Sequence, residues 1–540
     1  MVRRQELAVL LILAVVGVGV FGYFVTSSPT AGVQVNHSQG TATDTARAFL
    51  DEAGYDGGAY RTSTVFRSQG ESATFIQRRL DGPAERTAIR ENDIYGWETR
   101  FYQSLEQEAF RVTVDSRTGE VVGFAHDVPD EAAGGSLSQT VARERAASFL
   151  QGQGHILDTY ELISSSTTER ANRVDHTFVW EHTTREVAGA PYRLEVTLHG
   201  ERIGGYNPHI KVPDDFTHQY QVQQNRGQLL SFAFLGASLL LVVIAIWLGL
   251  RYYKNEEFDS RFGLTVGGVV AALTVVGVLN SIPQLLHSVP TTMVPWQFLL
   301  LSVGSAAVGG LVIGGVAALM AGAGKQLSAE VLGMTPLSRL RTLRENAERR
   351  QAVRTNLLVG ILLAGIILGI YAVFYLVGTR FFGFWLPSQP PQVSAVAMYV
   401  PALAAFVAGG TAAFWEEVTY RLFAVPLTKR YLGYTAVAVV VPAIVWGLGH
   451  SSYAVLPFWA RAVEVTLIGI VLGVGFLRYG LVATVAAHFT VNAFVTAVPM
   501  LLAGTSWLVV QGVFALFIAL IPLFAAGVLT TYAGPRHNSE

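Results

Sequence analysis

Cysteine is absent from all 540 residues. That excludes disulfides, thiol nucleophiles and thiolate-ligated zinc or iron–sulfur sites. A domain outside the cell would have to hold its fold by its core alone. Charge is also scarce: only 14% of residues are Asp, Glu, Lys or Arg, and the net charge is -1. Such a balance carries no electrostatic footprint for nucleic acid. What is abundant is apolar, with 51% of residues hydrophobic. The composition is that of a polytopic membrane protein with one sizeable soluble part.

An apolar run from about 7 to 25 follows Arg3 and Arg4. It is long enough to span, and its basic start keeps the N-terminus cytoplasmic. The same features suit a secretory signal, with Ser27-Ser28-Pro29 as a compatible cleavage site. A retained anchor over 1–26 is the reading preferred here.

Residues 27–227 are polar and patterned as a soluble α+β domain containing a degenerate repeat. Ala48-Phe49-Leu50 and Ser148-Phe149-Leu150 each end an amphipathic helix. Gly54 and Gly152 break the chain after them. Thr74-Phe75-Ile76 and Thr177-Phe178-Val179 are expected to be extended. Two hairpins follow: Phe110–Val114 with Glu120–Phe124, and Tyr192–Leu198 with Glu201–Ile203. Period-two alternation around a glycine-bearing turn is their signal.

From 228 onward the chain is nearly all membrane. Spans are expected near 229–250, 263–286, 297–322, 355–377, 395–423, 434–451, 458–477, 481–502 and 507–532, about ten with the first. Each is near the ~20 residues a bilayer requires. Gly310 and Gly314 are spaced to let helices approach closely. Arg251, Lys254, a basic loop at 324–354 (Arg339, Arg341, Arg344, Arg349, Arg350 and Arg354), Lys429, Arg430 and Arg478 all fall on the inner side. Residues 27–227 are then extracytoplasmic, in agreement with the positive-inside rule. The compact architecture points to a prokaryotic plasma membrane.

Chemistry concentrates in one stretch, Trp415-Glu416-Glu417-Val418-Thr419-Tyr420-Arg421, inside the run that begins near Ala395. A charge near the middle of a bilayer costs at least roughly 2.5–3.5 kcal/mol. Glu417 and Arg421 share a helical face and can offset that by pairing. Glu416 points about 100° away and needs a partner from another segment or must stay protonated. Trp446-Gly-Leu-Gly-His450 and His488-Phe-Thr-Val-Asn492 can supply one, and His488 and Asn492 share a face. Glu416, His450, His488 and Asn492 could therefore converge within the membrane around a water. By rise per residue, Glu416 and His450 lie about 20–29 Å from the inner side and His488 about 10–15 Å. Tilted helices, a deep inner cavity or an interfacial segment after Arg421 could reconcile them, and Pro426 supports a break after Arg421.

Glu-Glu-x-x-x-Arg, an aromatic-x-x-x-His and His-x-x-x-Asn, in this order on successive spans, resemble the CPBP family. That family takes in the CAAX prenyl proteases and their bacterial and archaeal relatives. The matching residues are Glu416, Glu417 and Arg421, then Trp446 and His450, then His488 and Asn492. Phe is common in the family where this chain has Trp446. The likeness covers about 395–500, so 395–502 is read as the catalytic core and 503–540 as a last helix and tail.

The resemblance implies an intramembrane endopeptidase acting on a membrane-associated peptide or protein. Glu416 with His450 would activate water, and His488 with Asn492 would stabilise the oxyanion. Glu417, Arg421 and Trp446 are support. A zinc version would use His450, His488 and Glu416 as ligands, although Asn is a poor ligand and the close spacing of soluble metalloproteases is missing. The version without a required metal is preferred. Val-Thr-Val-Asp-Ser-Arg-Thr-Gly-Glu-Val, residues 112–121, resembles the PepSY module, which implies a binding or regulatory role.

Each feature taken alone has a plainer reading: a structural glutamate network, an interfacial His450, a satisfied buried His488. Three such oddities in one segment favour a site. Arg461 and Glu464 read as an interfacial pair that could contact substrate. The rival functions are a proton-coupled transporter and a non-catalytic binder of lipidated peptides.

Overall fold

In the computed structural model the described residues are 3–27, 34–334, 346–387 and 395–531. The expected basic residues Arg339, Arg341 and Arg344 lie outside them. The N-terminal helix α1 (Arg4–Ser27) is followed by α2 (Gln39–Glu52), β1 (Arg61–Ser68), α3 (Gly70–Arg79), α4 (Gly82–Glu91), β2 (Tyr95–Tyr102), β3 (Ala109–Asp115) and β4 (Val121–Asp127). A second set follows: α5 (Gln139–Gly152), β5 (Tyr160–Glu169), β6 (Val174–Val187), β7 (Ala190–His199) and β8 (Arg202–Ile210).

The strands form one eight-stranded antiparallel sheet in the order β1-β2-β3-β4-β8-β7-β6-β5. Its halves meet where Phe124 pairs with Tyr206 and Ala125 with Gly205. Each half is led by one helix, and the two helices match closely. Ser38 and Ser138 are the N-caps, accepting from the N–H of Thr41 and Val141. Ala42, Ala46 and Leu50 are buried on α2, and Ala142, Ala146 and Leu150 on α5. Each half thus carries a capped helix and an antiparallel hairpin.

The first hairpin turns on Asp115, whose carboxylate accepts the N–H groups of Arg117 (2.9 Å) and Thr118 (2.6 Å). Gly119 completes the turn at φ 79°. One expectation fails: Thr74–Ile76 is helical, within α3. Phe75 and Ile76 are buried there, and Phe75 meets Phe216 edge-on at 5.1 Å. Tertiary packing overrides the β-propensity of the Thr-Phe-Ile triplet.

The membrane part comprises α6 (Asp214–Lys254), α7 (Ser260–Asn280), the short α8 (Ile282–His287), α9 (Pro295–Leu332) and α10 (Ala347–Phe381). Then come α11 (Pro401–Glu416), a π-helical stretch (Glu417–Phe423), α12 (Ala424–Leu432), α13 (Thr435–Leu448), α14 (Ala460–Tyr479), α15 (Leu481–Leu502), α16 (Ser506–Ala519) and α17 (Ile521–Thr531). Seven helices among the described residues are long and apolar enough to cross a membrane. The count is up to eight if the pair α16 and α17, bent by 49°, is one span. Sequence led to about ten. The other two expected spans are the composite run 401–432 and α13, which has only 14 residues.

Close approach relies on small residues. A Cβ on Gly267 of α7 would run into the Gly314 carbonyl of α9, and the reverse clash also holds. On α1, Gly17 packs in the same way against Gly365 of α10. Glu6 of α1 bonds Arg478 (2.9 Å) and Tyr479 (2.6 Å).

The sheet domain docks on one end of the bundle. Arg100 donates to the carbonyls of His287 (2.9 Å) and Val289 (2.7 Å), and His287 Nε2 lies 2.8 Å from Glu98. Val396, Ala397, Ala503 and Leu508 share the sheet domain's apolar core.

Candidate active site

The site is built around the run 401–432. Alanine and glycine dominate the buried face of α11, so neighbouring helices can close on it. From Glu417 the helix widens into a π turn. Pro426 has no N–H to offer the Leu422 carbonyl, which instead accepts the Ser328 hydroxyl at 3.0 Å. The Ala424 N–H reaches back to the Thr419 carbonyl. The chain is thus widened after Glu416 rather than broken after Arg421. It is not a straight α-helix, so a depth counted at a constant rise does not apply to it.

Glu417 is fully buried. Its Oε1 accepts from Arg421 Nη1 and from His488 Nδ1, both at 2.9 Å. The Arg421 guanidinium lies 4.2 Å from the Trp446 ring centroid, and Nη2 reaches the Gly469 carbonyl at 3.5 Å. The expected Glu417–Arg421 pair therefore exists and extends to His488.

Glu416 faces the other way, with its side chain 20% exposed. The Trp446 indole N–H donates to its Oε2 at 2.5 Å, and His488 Nε2 lies 3.7 Å from the same oxygen. His488 thus stands between the two glutamates. His450 Nδ1 is 3.0 Å from the Trp446 carbonyl. That partner assigns the proton to Nδ1 and leaves Nε2 free. No hydrogen bond joins Glu416 to His450 among the described residues; the Trp446 ring, 5.4 Å from His450 and 5.5 Å from His488, lies beside both histidines.

Glu416, Trp446, His450, His488 and Asn492 all line one cavity of about 500 Å³. Apolar side chains such as Ile367, Ile468 and Val495 make up much of the remaining wall. A carboxylate, two imidazoles and an amide on an apolar chamber can hold a water and polarise a carbonyl.

Residues 398–494 match the family model for type II CAAX prenyl endopeptidase Rce1-like proteins. This part of the chain is an Rce1-like domain. It holds every residue of the three motifs. The sporulation-killing factor biosynthesis protein SkfC of Bacillus subtilis (strain 168) is 29% identical over 85 residues. That match covers 16% of this chain and 17% of SkfC. No solved structure matches the chain.

The Rce1-like domain also contributes cavity residues that sequence reasoning placed elsewhere. Arg461 and Glu464 do pair, at 2.5 Å. Glu464, however, is fully buried on the cavity wall. Tyr371 and Tyr375 reach the same wall from α10, outside the motifs. The available signal was the pair of charges three apart at the start of an apolar run; nothing marked the tyrosines. Among the described residues, no three His, Asp or Glu side chains are grouped to hold a metal ion. His488 Nδ1 is already taken by Glu417.

Proposed function

We propose that the chain is an intramembrane endopeptidase that hydrolyses a peptide bond in a membrane-associated substrate. One observation carries the reading: Glu416 is held by the Trp446 N–H and flanked by His488 on a cavity among the apolar helices that also presents His450 and Asn492. The match to the Rce1-like family over the same residues supports it.

In this mechanism Glu416, with His450 Nε2 beside the same space, takes a proton from water. The hydroxide adds to the substrate carbonyl. Asn492 donates to the oxygen as it becomes negative, and so does His488 Nε2 when the ring, with Nδ1 on Glu417, carries both protons. Collapse of the tetrahedral intermediate breaks the C–N bond, and the proton held by Glu416 passes to the leaving amine. Glu417 and Arg421 hold His488 and the helix that carries Glu416. No metal is required on this reading.

The substrate is a peptide or protein already in or on the bilayer, prenylated or not. The sheet domain, with its PepSY-like hairpin, is a binding or regulatory part on the extracytoplasmic side. Its docking at the bundle end opposite Arg251 and Lys254 supports that orientation.

The test is cleavage of membrane peptides by the purified full chain and its Glu416→Gln variant. Loss of about 10²–10⁴-fold in rate with an unchanged melting profile is expected. Full activity in Glu416→Gln would refute the assignment.

A further inference from the structure

Three polar atoms on the cavity wall are buried and lack a hydrogen bond of good geometry: Arg461 Nε, Glu464 Oε1 and the Tyr375 hydroxyl, which lies near both charged side chains. A buried polar atom without a partner costs about 1–3 kcal/mol, so three on one wall call for an explanation. The three groups are neighbours. Arg461 Nη1 bonds Glu464 Oε2 at 2.5 Å, and Tyr371, beside Tyr375 at 4.9 Å between ring centroids, lies 5.8 Å from the Arg461 guanidinium.

The subsite also has a defined distance from the chemistry. The Arg461 guanidinium is 5.4 Å from the Tyr453 ring centroid, which is 5.6 Å from the His450 ring, so at most about 11 Å separates guanidinium from imidazole. Extended peptide covers roughly 3.3–3.6 Å per residue, so this is a reach of up to about three residues.

The charge decides what fits. Arg461 and Glu464 together are neutral. A free carboxylate attracted by Arg461 would meet Glu464 in the same place. A peptide group suits the pair better, because its carbonyl accepts from Arg461 Nε and its N–H donates to Glu464 Oε1. The Tyr375 hydroxyl can bond a second carbonyl.

We propose that Arg461, Glu464 and Tyr375 form a substrate-positioning subsite that grips a backbone amide up to about three residues from the scissile bond. It rests on the endopeptidase reading for its place in the reaction, but not for peptide binding itself. The site reads backbone rather than a chain end, so a substrate need not finish in a free carboxylate.

The experiment measures binding of a fluorescent Leu/Ala-rich peptide of about 20 residues to the full-length Glu416→Gln protein in nanodiscs. The peptide is made with a free or an amidated C-terminus, and as a series in which one amide N–H at a time is replaced by an ester oxygen. Free and amidated peptides should bind within twofold of each other. One ester position should weaken binding about tenfold, and adding the pair Arg461→Met with Glu464→Leu, which leaves no acceptor there, should abolish that sensitivity.

The double variant Arg461→Met with Glu464→Leu removes both charges and both hydrogen-bonding groups together and guards against misfolding from a lone buried ion. It should melt like the parent yet bind about tenfold more weakly. The proposal falls if the double variant binds normally, if amidation weakens binding tenfold, or if no ester position matters. It falls too if no peptide binds. Ester-sensitive binding without cleavage by wild type would keep the subsite and overturn the hydrolase reading alone.

Discussion

Glu416 and Glu417 are adjacent, yet their removal should have opposite consequences. Glu417 is completely buried and balances Arg421, itself only 2% exposed. Glu417→Gln keeps the shape but leaves the guanidinium uncompensated. Breaking a buried pair in this way costs about 3–5 kcal/mol. At roughly 1–1.5 °C per kcal/mol for a unit of this size, the melting midpoint should fall by about 3–8 °C. Glu416→Gln strands no charge, and its amide oxygen can still accept the Trp446 N–H. It should stay within about 1 kcal/mol of wild type while losing activity. Adding Arg421→Met to Glu417→Gln should recover much of the lost stability, because no unpaired charge is then left buried. Thermal unfolding in detergent, followed by intrinsic fluorescence, checks all four proteins. Equal melting of Glu417→Gln and wild type, or a collapse of Glu416→Gln, would refute the division of labour.

Three other outcomes follow from the packing and the sheet domain. Glu85 is 6% exposed with Oε1 unpartnered, and burial, with the Asp81 carboxylate adding to it, pushes its carboxyl up to about 7. The folded state therefore favours the protonated form, so this contribution is full below the ordinary value of 4.5 and is lost as pH rises through about 7. Glu85→Gln should stabilise the sheet domain by about 1–2 kcal/mol at pH 8, after allowing for solvent screening, and leave it unchanged at pH 4, as read by urea denaturation at both pH values. Gly267→Val should force α7 and α9 apart at the Gly314 carbonyl, costing about 1–3 kcal/mol, visible as a lower melting midpoint. Ser328→Ala removes a donor to the Leu422 carbonyl at the π turn and should cost about 1 kcal/mol by the same measurement, with cleavage reduced if the turn sets the position of Glu416.

Much of this was legible along the chain. Apolar runs marked the membrane helices because a bilayer demands ~20 such residues. The i, i+4 spacing of Glu417 and Arg421 announced their pair, realised at 2.9 Å. Alternation and a glycine turn located both hairpins. The failures share a cause. Thr74–Ile76 has strand-forming residues but takes a helix, because burial of Phe75 and Ile76 decides its state. The π turn depends on Pro426 and on Ser328 from another helix, and no single-segment pattern contains both.

What the amino-acid order determined by itself is which side chains are out of place in lipid and which face of a helix each occupies. Periodicity is a property of one segment, so that much needs no neighbour. Which partner each side chain meets was settled only by helix packing. His488 lies between Glu416 and Glu417, Trp446 supplies the proton donor to Glu416, and Glu464 lies on the cavity wall instead of at a surface. Contacts between residues 30 to 72 positions apart depend on how helices cross, and that is a property of the assembled bundle.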